Sequence, residues 1–184
     1  MSFGLSKLKN VAVFISGGGS TLQALLDMHH QIDIKLVFCN RLSAQGRFRA
    51  KRFGKPVFMI TKETDFEVID QQLRKHNISM IFLAGFMKLL PAAFVDNWKG
   101  RIFNIHPSLL PEFKGLNAIE NSWKSGRPMG VTIHRVTEEM DAGEIMLQKV
   151  SLPDPTPFSL RDSEIFLRAI EQELMRSSSI RLSI

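Results

Sequence analysis

The chain alternates short, almost uninterrupted apolar runs with stretches of helical periodicity. "VAVFIS" (11–16) leads through "GGGST" into "LQALLDMHH"; "IKLVFC" (34–39) precedes a helical stretch ending near Gly54; "VFMI" (57–60) precedes a helix near 65–76. "MIFLAG" (80–85), a short helix after Pro91 and "RIFNI" (101–105) continue the rhythm. Near-continuous apolar strands are buried on both sides, so the pattern predicts an α/β fold with a Rossmann-like, mostly parallel sheet and helices on both faces. After residue 115 come a short helix (about 118–125), a strand "GVTIHRV", the turn "MDAGE", a strand "IMLQKV" and a helix near 160–176. These add a C-terminal antiparallel hairpin. The 184 residues suffice for one sizeable core, and a single domain over 1–184 is expected. Ser20 with Gln23, and Thr64 with Glu67, have the spacing of capping boxes.

Composition removes several classes. A chain 44% hydrophobic and 23% charged is neither disordered nor fibrous. Cys39 is the sole cysteine, so no intrachain disulfide forms, and it reads as a small buried hydrophobe in a reduced compartment. The N-terminal stretch is too short in apolar residues for a signal peptide, and "MIFLAGFM" falls short of a membrane span, so a cytoplasmic protein without a membrane partner is expected. Net charge is +6, concentrated at Arg41, Arg47, Arg49, Lys51, Arg52 and Lys55. Without aromatic interleaving or a named motif, that run reads as a solvated helix face, and nucleic acid is not the expected partner. Its field suits phosphorylated small molecules.

Ligands of open parallel sheets bind beyond the carboxyl ends of the strands. At the first such end, the glycines of "GGGST" permit close backbone approach and the following helix start offers free N–H groups, an arrangement suited to phosphate. The loop has no Walker ending, and Leu22 stands where a dinucleotide fingerprint needs its third glycine. At another end, Asn104 and His106 lie two apart on a strand and share a face, with Pro107 biasing His106 towards extended backbone. An amide and an imidazolium side by side suit a developing oxyanion. Asp141, in the turn between two later strands, reaches the pair if the hairpin folds over the sheet, and its charge would favour the imidazolium. His134 reads as a packed strand residue. Ser108 lies in no nucleophile elbow, and His29–His30 read as a solvated helix end with no metal role.

The segments "VFISGGGSTLQALL", "IFLAGFMKLLPAAFV", "GRIFNIHPSLLPEFKGLNAIENSW" and "GVTIHRVTEEMDAGEIMLQ" resemble the phosphoribosylglycinamide formyltransferases, of the folate-dependent formyltransferase superfamily. The resemblance runs from about Val11 to about Val150. It implies transfer of a formyl group from 10-formyltetrahydrofolate, as cosubstrate, to the amine of glycinamide ribonucleotide, without a metal. Carried over by position, Asn104, His106 and Asp141 form the catalytic trio, with a water helping to move protons. Gly19, Ser20 and Thr21 receive the phosphate through backbone N–H groups, and Glu171 binds the sugar. The folate lies along Met87, Lys88, Leu89 and Leu90 and along Val136, Thr137, Glu138, Glu139 and Met140. Met87, Leu89 and Leu90 would be core residues in any fold, so their folate role rests on the resemblance. The chain departs from the family pattern at Thr21, at Asn117-Ala118-Ile119 and around Gln172 and Met175-Arg176. The alternatives are an N-formyltransferase for another amine, such as an amino sugar nucleotide, and a non-catalytic nucleic-acid binder. The partners implied are small molecules; a homodimer is left open.

Overall fold

The computed structural model describes residues 8–181. The first seven residues, where the reading against a signal peptide begins, lie outside the described residues, as do the last three. In chain order the elements are β1 (Lys9–Ile15), α1 (Ser20–Leu26), β2 (Ile32–Cys39), α2 (Gly46–Arg52), β3 (Val57–Met59), α3 (Phe66–Lys75) and β4 (Met80–Ala84). There follow α4 (Ala92–Asn97), β5 (Ile102–His106), α5 (Ala118–Lys124), β6 (Met129–Arg135), β7 (Ile145–Leu152) and α6 (Leu160–Arg181).

One seven-stranded sheet runs β3-β2-β1-β4-β5-β6-β7. The pairs from β3 to β5 are parallel, while β5–β6 and β6–β7 are antiparallel, as expected of a Rossmann-like sheet closed by a hairpin. Strand β1 lies in the middle of the parallel part, and Val11 to Ile15 have no exposed surface. Their side chains alternate between two cores. Val11, Val13 and Ile15 join Leu22, Leu25 and Leu167 on the face covered by α1, α2, α5 and α6. Ala12 and Phe14 join Ile69, Leu73, Phe94 and Trp98 on the face covered by α3 and α4. This two-sided burial is why Val11 to Ile15 are apolar without a break. Cys39 is fully buried and free.

Two helix starts differ from the sequence reading. Helix α1 begins at Ser20 itself, with Gly19 as its cap residue at φ +74° and no side-chain cap bond, so Ser20 and Gln23 form no capping box. At α3 the cap is Asp65, whose carboxylate accepts from Glu67 N–H at 2.9 Å, while Thr64 Oγ1 accepts from Thr61 N–H. An ionised carboxylate one residue nearer the helix outcompetes the threonine hydroxyl for those amides. Helix α6 runs five residues past its expected end.

The basic run also needs correction. Helix α2 buries only Gly46 and Ala50, which leaves Phe48 and Phe53 exposed among Arg47, Arg49 and Arg52, so aromatic rings do interleave with the cations. Among the described residues no helix is long and apolar enough to cross a membrane.

Candidate active site

Strand β5 ends with Asn104 and His106, and antiparallel pairing sets Asn104 directly opposite His134 of β6. Beyond β6 the chain folds back at once. Gly143 lies so close to the carbonyl of Arg135 that a Cβ there would fall 1.8 Å from its oxygen, and Arg135 N–H donates to Glu144 O at 2.9 Å. That backbone contact turns Asp141 over the end of β5.

The sequence-expected trio therefore meets. Asp141 Oδ2 lies 3.4 Å from His106 Nδ1, and Asn104 Nδ2 donates to Asp141 Oδ1 at 3.3 Å. His134, read above as packing, completes the group: it is 2% exposed, with Nε2 at 3.1 Å from Asn104 Nδ2 and 3.3 Å from Asp141 Oδ1. Its Nδ1–H donates to the carbonyl of Arg135, and Nε2 stands between the Asn104 amide and the Asp141 carboxylate, accepting from the first when the ring is neutral and donating to the second when it is charged. The signal for His134 in the sequence was its place on a strand beside β5, but the register that puts it opposite Asn104 is a property of the pairing.

Asp141 itself adopts φ +49°. Burial pushes its carboxyl up, but the hydrogen bond from His134, the N–H of Gly115 donating at 2.9 Å and the charges of His106 and His134 outweigh that and hold it at about 2. It is an anion at any ordinary pH.

The segment after Pro107 closes over His106. His106 Nε2–H donates to the carbonyl of Phe113 at 2.9 Å, and Ser108 Oγ donates to the carbonyl of Glu112 at 2.7 Å. Ser108 thus shapes the turn. Lys114 pairs with Glu139 at 3.2 Å, strapping this segment to the loop after β6. Both nitrogens of the buried His106 ring face acceptors, so a proton on each satisfies both. Asn104 and His106, as they stand, spend their donors inside the protein.

Around this centre lie the other expected residues. Thr21 Oγ1 donates to Glu171 Oε2 at 3.3 Å, so the start of α1 and the last helix converge. Burial raises the carboxyl of Glu171, against the lowering influence of Thr21 and Arg168. Met87 and Leu89 are exposed, at 58% and 73%, which corrects their reading as core residues, while Leu90 is half-buried and packs against the core. They follow the end of β4, where the covering helices no longer reach. Ser16 Oγ anchors this loop, donating to Asn40 Oδ1 at 2.6 Å and accepting from Met87 N–H at 2.8 Å. Val136, Thr137, Glu138 and Glu139 line a groove of about 370 Å³ with Val95, Asp96 and Lys99 of α4 and its flank. Those three α4-side residues gave no signal in the sequence, because only the fold sets α4 beside the β6 loop. Among the described residues no group of three or more His, Cys, Asp or Glu side chains is arranged to hold a metal ion.

A family profile described as "Formyl transferase" matches residues 9–161. The chain is 42% identical over 154 residues to the trifunctional purine biosynthetic protein adenosine-3 of Homo sapiens, covering 78% of this chain but 15% of that much longer protein. It is 37% identical over 180 residues to the phosphoribosylglycinamide formyltransferase of Haemophilus influenzae, covering 90% of this chain and 82% of that one. The crystal structure of phosphoribosylglycinamide formyltransferase from Anaplasma phagocytophilum superposes with a TM-score of 0.90 at 38% identity, over 96% of this chain and 88% of that one.

Proposed function

The chain belongs to the formyl transferase family, and from that premise we propose that it transfers the formyl group of 10-formyltetrahydrofolate to the amine of glycinamide ribonucleotide in purine biosynthesis. What supports this reading most is the meeting of Asn104, His106 and Asp141 within 3.4 Å at the end of β5.

The reaction joins the acceptor nitrogen to the formyl carbon and breaks the bond from that carbon to N10 of the folate. Negative charge gathers on the formyl oxygen between the two events, and the chain's task is to hold it. Asn104 Nδ2 and the His106 ring supply the donors. To do so Asn104 gives up one internal acceptor and His106 exchanges the Phe113 carbonyl for the formyl oxygen, so the Glu112–Gly115 segment gives way once acceptor and folate are both in place. Asp141, anionic throughout, keeps the imidazolium charged and steers the proton leaving the amine, by way of water, towards N10. Positioning and charge suffice, and no covalent enzyme intermediate is needed.

The acceptor's phosphate sits on the amides of Gly19, Ser20 and Thr21, and its sugar hydroxyls reach Glu171, which already touches Thr21. The folate ring enters the groove between α4 and Val136–Met140, with Met87, Lys88, Leu89 and Leu90 forming its other wall. The exposure of Met87 and Leu89 favours this, since apolar side chains open to solvent at a strand end are available to a ligand. That the two cores of the described residues back onto one sheet supports reading the chain as a single formyltransferase domain, and we place its work in the cytoplasm.

The test is turnover of 10-formyltetrahydrofolate by the purified chain with glycinamide ribonucleotide, beside a panel of other primary amines that includes an amino sugar nucleotide, followed by folate absorbance. Acceptor-dependent release of tetrahydrofolate with the ribonucleotide is expected; none with it, or faster turnover with another amine, would overturn the assignment.

A further inference from the structure

The loop Gly17–Gly19 turns its first two carbonyls towards α2. Gly17 O accepts from Gly46 N–H at 3.0 Å, and Gly18 O accepts from Arg49 Nε–H at 2.9 Å. Both donors belong to α2, a helix that carries none of the site residues described above. In a trans peptide the carbonyl of one residue and the N–H of the next point in opposite directions within one plane. Fixing the carbonyls of Gly17 and Gly18 against α2 therefore turns the N–H groups of Gly18 and Gly19 away from it. Among the described residues neither of these N–H groups has a hydrogen-bond partner.

The contact is close and specific. A Cβ on Gly19 would fall 2.6 Å from the Cα of Gly46, and one on Gly46 would fall 2.7 Å from Ile15 Cδ1 and 3.1 Å from the Cα of Gly19. Gly19 also needs its φ of +74°. Backbone therefore lies against backbone, and only a long side chain farther along α2 can reach round to the second carbonyl. Arg49 does so with a fork: Nε–H is spent on Gly18 O while Nη1 reaches Gln23 Oε1 of α1 at 3.4 Å. One guanidinium thus ties the loop to the helices on either side of it, which a single ammonium would not do in the same plane.

We infer that Arg49 is a positioning residue for the acceptor's phosphate. It touches neither reacting group. By holding the Gly18 carbonyl it turns the Gly19 amide outward, beside the Gly18 amide that Gly46 sets through the Gly17 carbonyl, and it adds positive charge behind the pair. This deepens the proposed function and rests on its reading of the loop as the phosphate seat.

The experiment measures inorganic phosphate binding to the full chain by titration calorimetry, alongside steady-state kinetics with glycinamide ribonucleotide and with its 5′-dephosphorylated counterpart. In Arg49→Ala, loss of one charge-assisted anchor is expected to weaken phosphate binding about tenfold. The KM for the ribonucleotide should rise by a similar factor, while kcat, the KM for the folate and the KM for the dephosphorylated acceptor stay close to wild type. Unchanged phosphate affinity, or an equal loss with both acceptors, overturns the inference. Should Arg49→Ala fail to fold, Gln23→Ala decides: it frees only one guanidinium nitrogen and should weaken phosphate binding by a smaller factor in the same direction, and no change overturns the inference. Failure of the broader reading looks different. A wild-type chain that binds phosphate, loses it in the variant, yet never formylates the ribonucleotide would remove the activity and keep the role of Arg49.

Discussion

Asn104 and His134 face each other across the antiparallel pair β5–β6, amide to imidazole at 3.1 Å, with Asp141 touching both. The amide that would hold the developing charge is thus itself held, from a neighbouring strand, by a ring whose other nitrogen is committed to the Arg135 carbonyl.

Removing that support should cost rate more than binding. His134→Ala frees the Asn104 amide to rotate and strips Asp141 of a partner, and kcat is expected to fall by roughly ten- to a hundredfold with little change in either KM. His134→Gln, which can still accept from Asn104, should recover part of the loss. Steady-state kinetics on both variants checks this; equal KM and kcat defects would reduce His134 to a packing residue.

Asp141→Asn offers a clean probe of charge, because asparagine tolerates the left-handed backbone that Asp141 occupies at φ +49°. The kcat should fall by at least about a hundredfold. Stability should respond in a defined pH window. The folded carboxyl is depressed from 3.8 to about 2, so its contribution, of the order of 2 kcal/mol, is fully present above the unfolded value and is lost as the pH falls through the folded one. Wild type should therefore exceed Asp141→Asn in urea midpoint near neutrality and converge with it in strong acid.

Glu171 should behave in the opposite sense. Burial raises its carboxyl above the ordinary 4.5, so the folded state loses stability as the pH climbs from that value through the raised one. Glu171→Gln is expected to melt higher than wild type at neutral or alkaline pH and no higher at pH ~4, while its KM for the ribonucleotide rises. Differential scanning of both proteins across pH, with one kinetic series, tests the pairing of a stability gain with a binding loss.

Leu89 is 73% exposed and contributes little to the folded core. Leu89→Ser should leave the melting temperature within about 1 °C of wild type yet raise the KM for the folate several-fold, through loss of roughly 1–2 kcal/mol of apolar contact with the ring. A drop in melting temperature with unchanged folate KM would place the side chain in the core after all.

The parallel half of the sheet was readable because two-sided burial writes itself into sequence as apolar runs, and β4 with the later parts of β1 (from Val11) and β2 (from Leu36) are such runs. Asn104 and His106 were readable because a strand repeats every two residues. The approach of Asp141 was conditional in the sequence, since it depends on the turn that Gly143 makes against the Arg135 carbonyl. His134 and the α4 side of the groove were hidden for a related reason. Which side chain stands opposite Asn104, and which helix flanks the β6 loop, are facts of long-range pairing that no local pattern encodes. The exposure of Met87 and Leu89 was misjudged because hydrophobicity alone does not reveal where the covering helices end. The capping boxes were misjudged because a left-handed glycine at one helix and an aspartate at the other supplied better starts.

The carbonyl of Phe113 occupies one nitrogen of His106 while Asp141 faces the other. An idle centre of this kind has its polar hands full. Under the proposed reaction, a folate arriving without its amine partner finds no vacant donor to polarise its formyl oxygen, and stray water attacking there would go unassisted. The same intramolecular pairing that keeps a buried ring satisfied would spare a costly one-carbon unit from being spilled as formate.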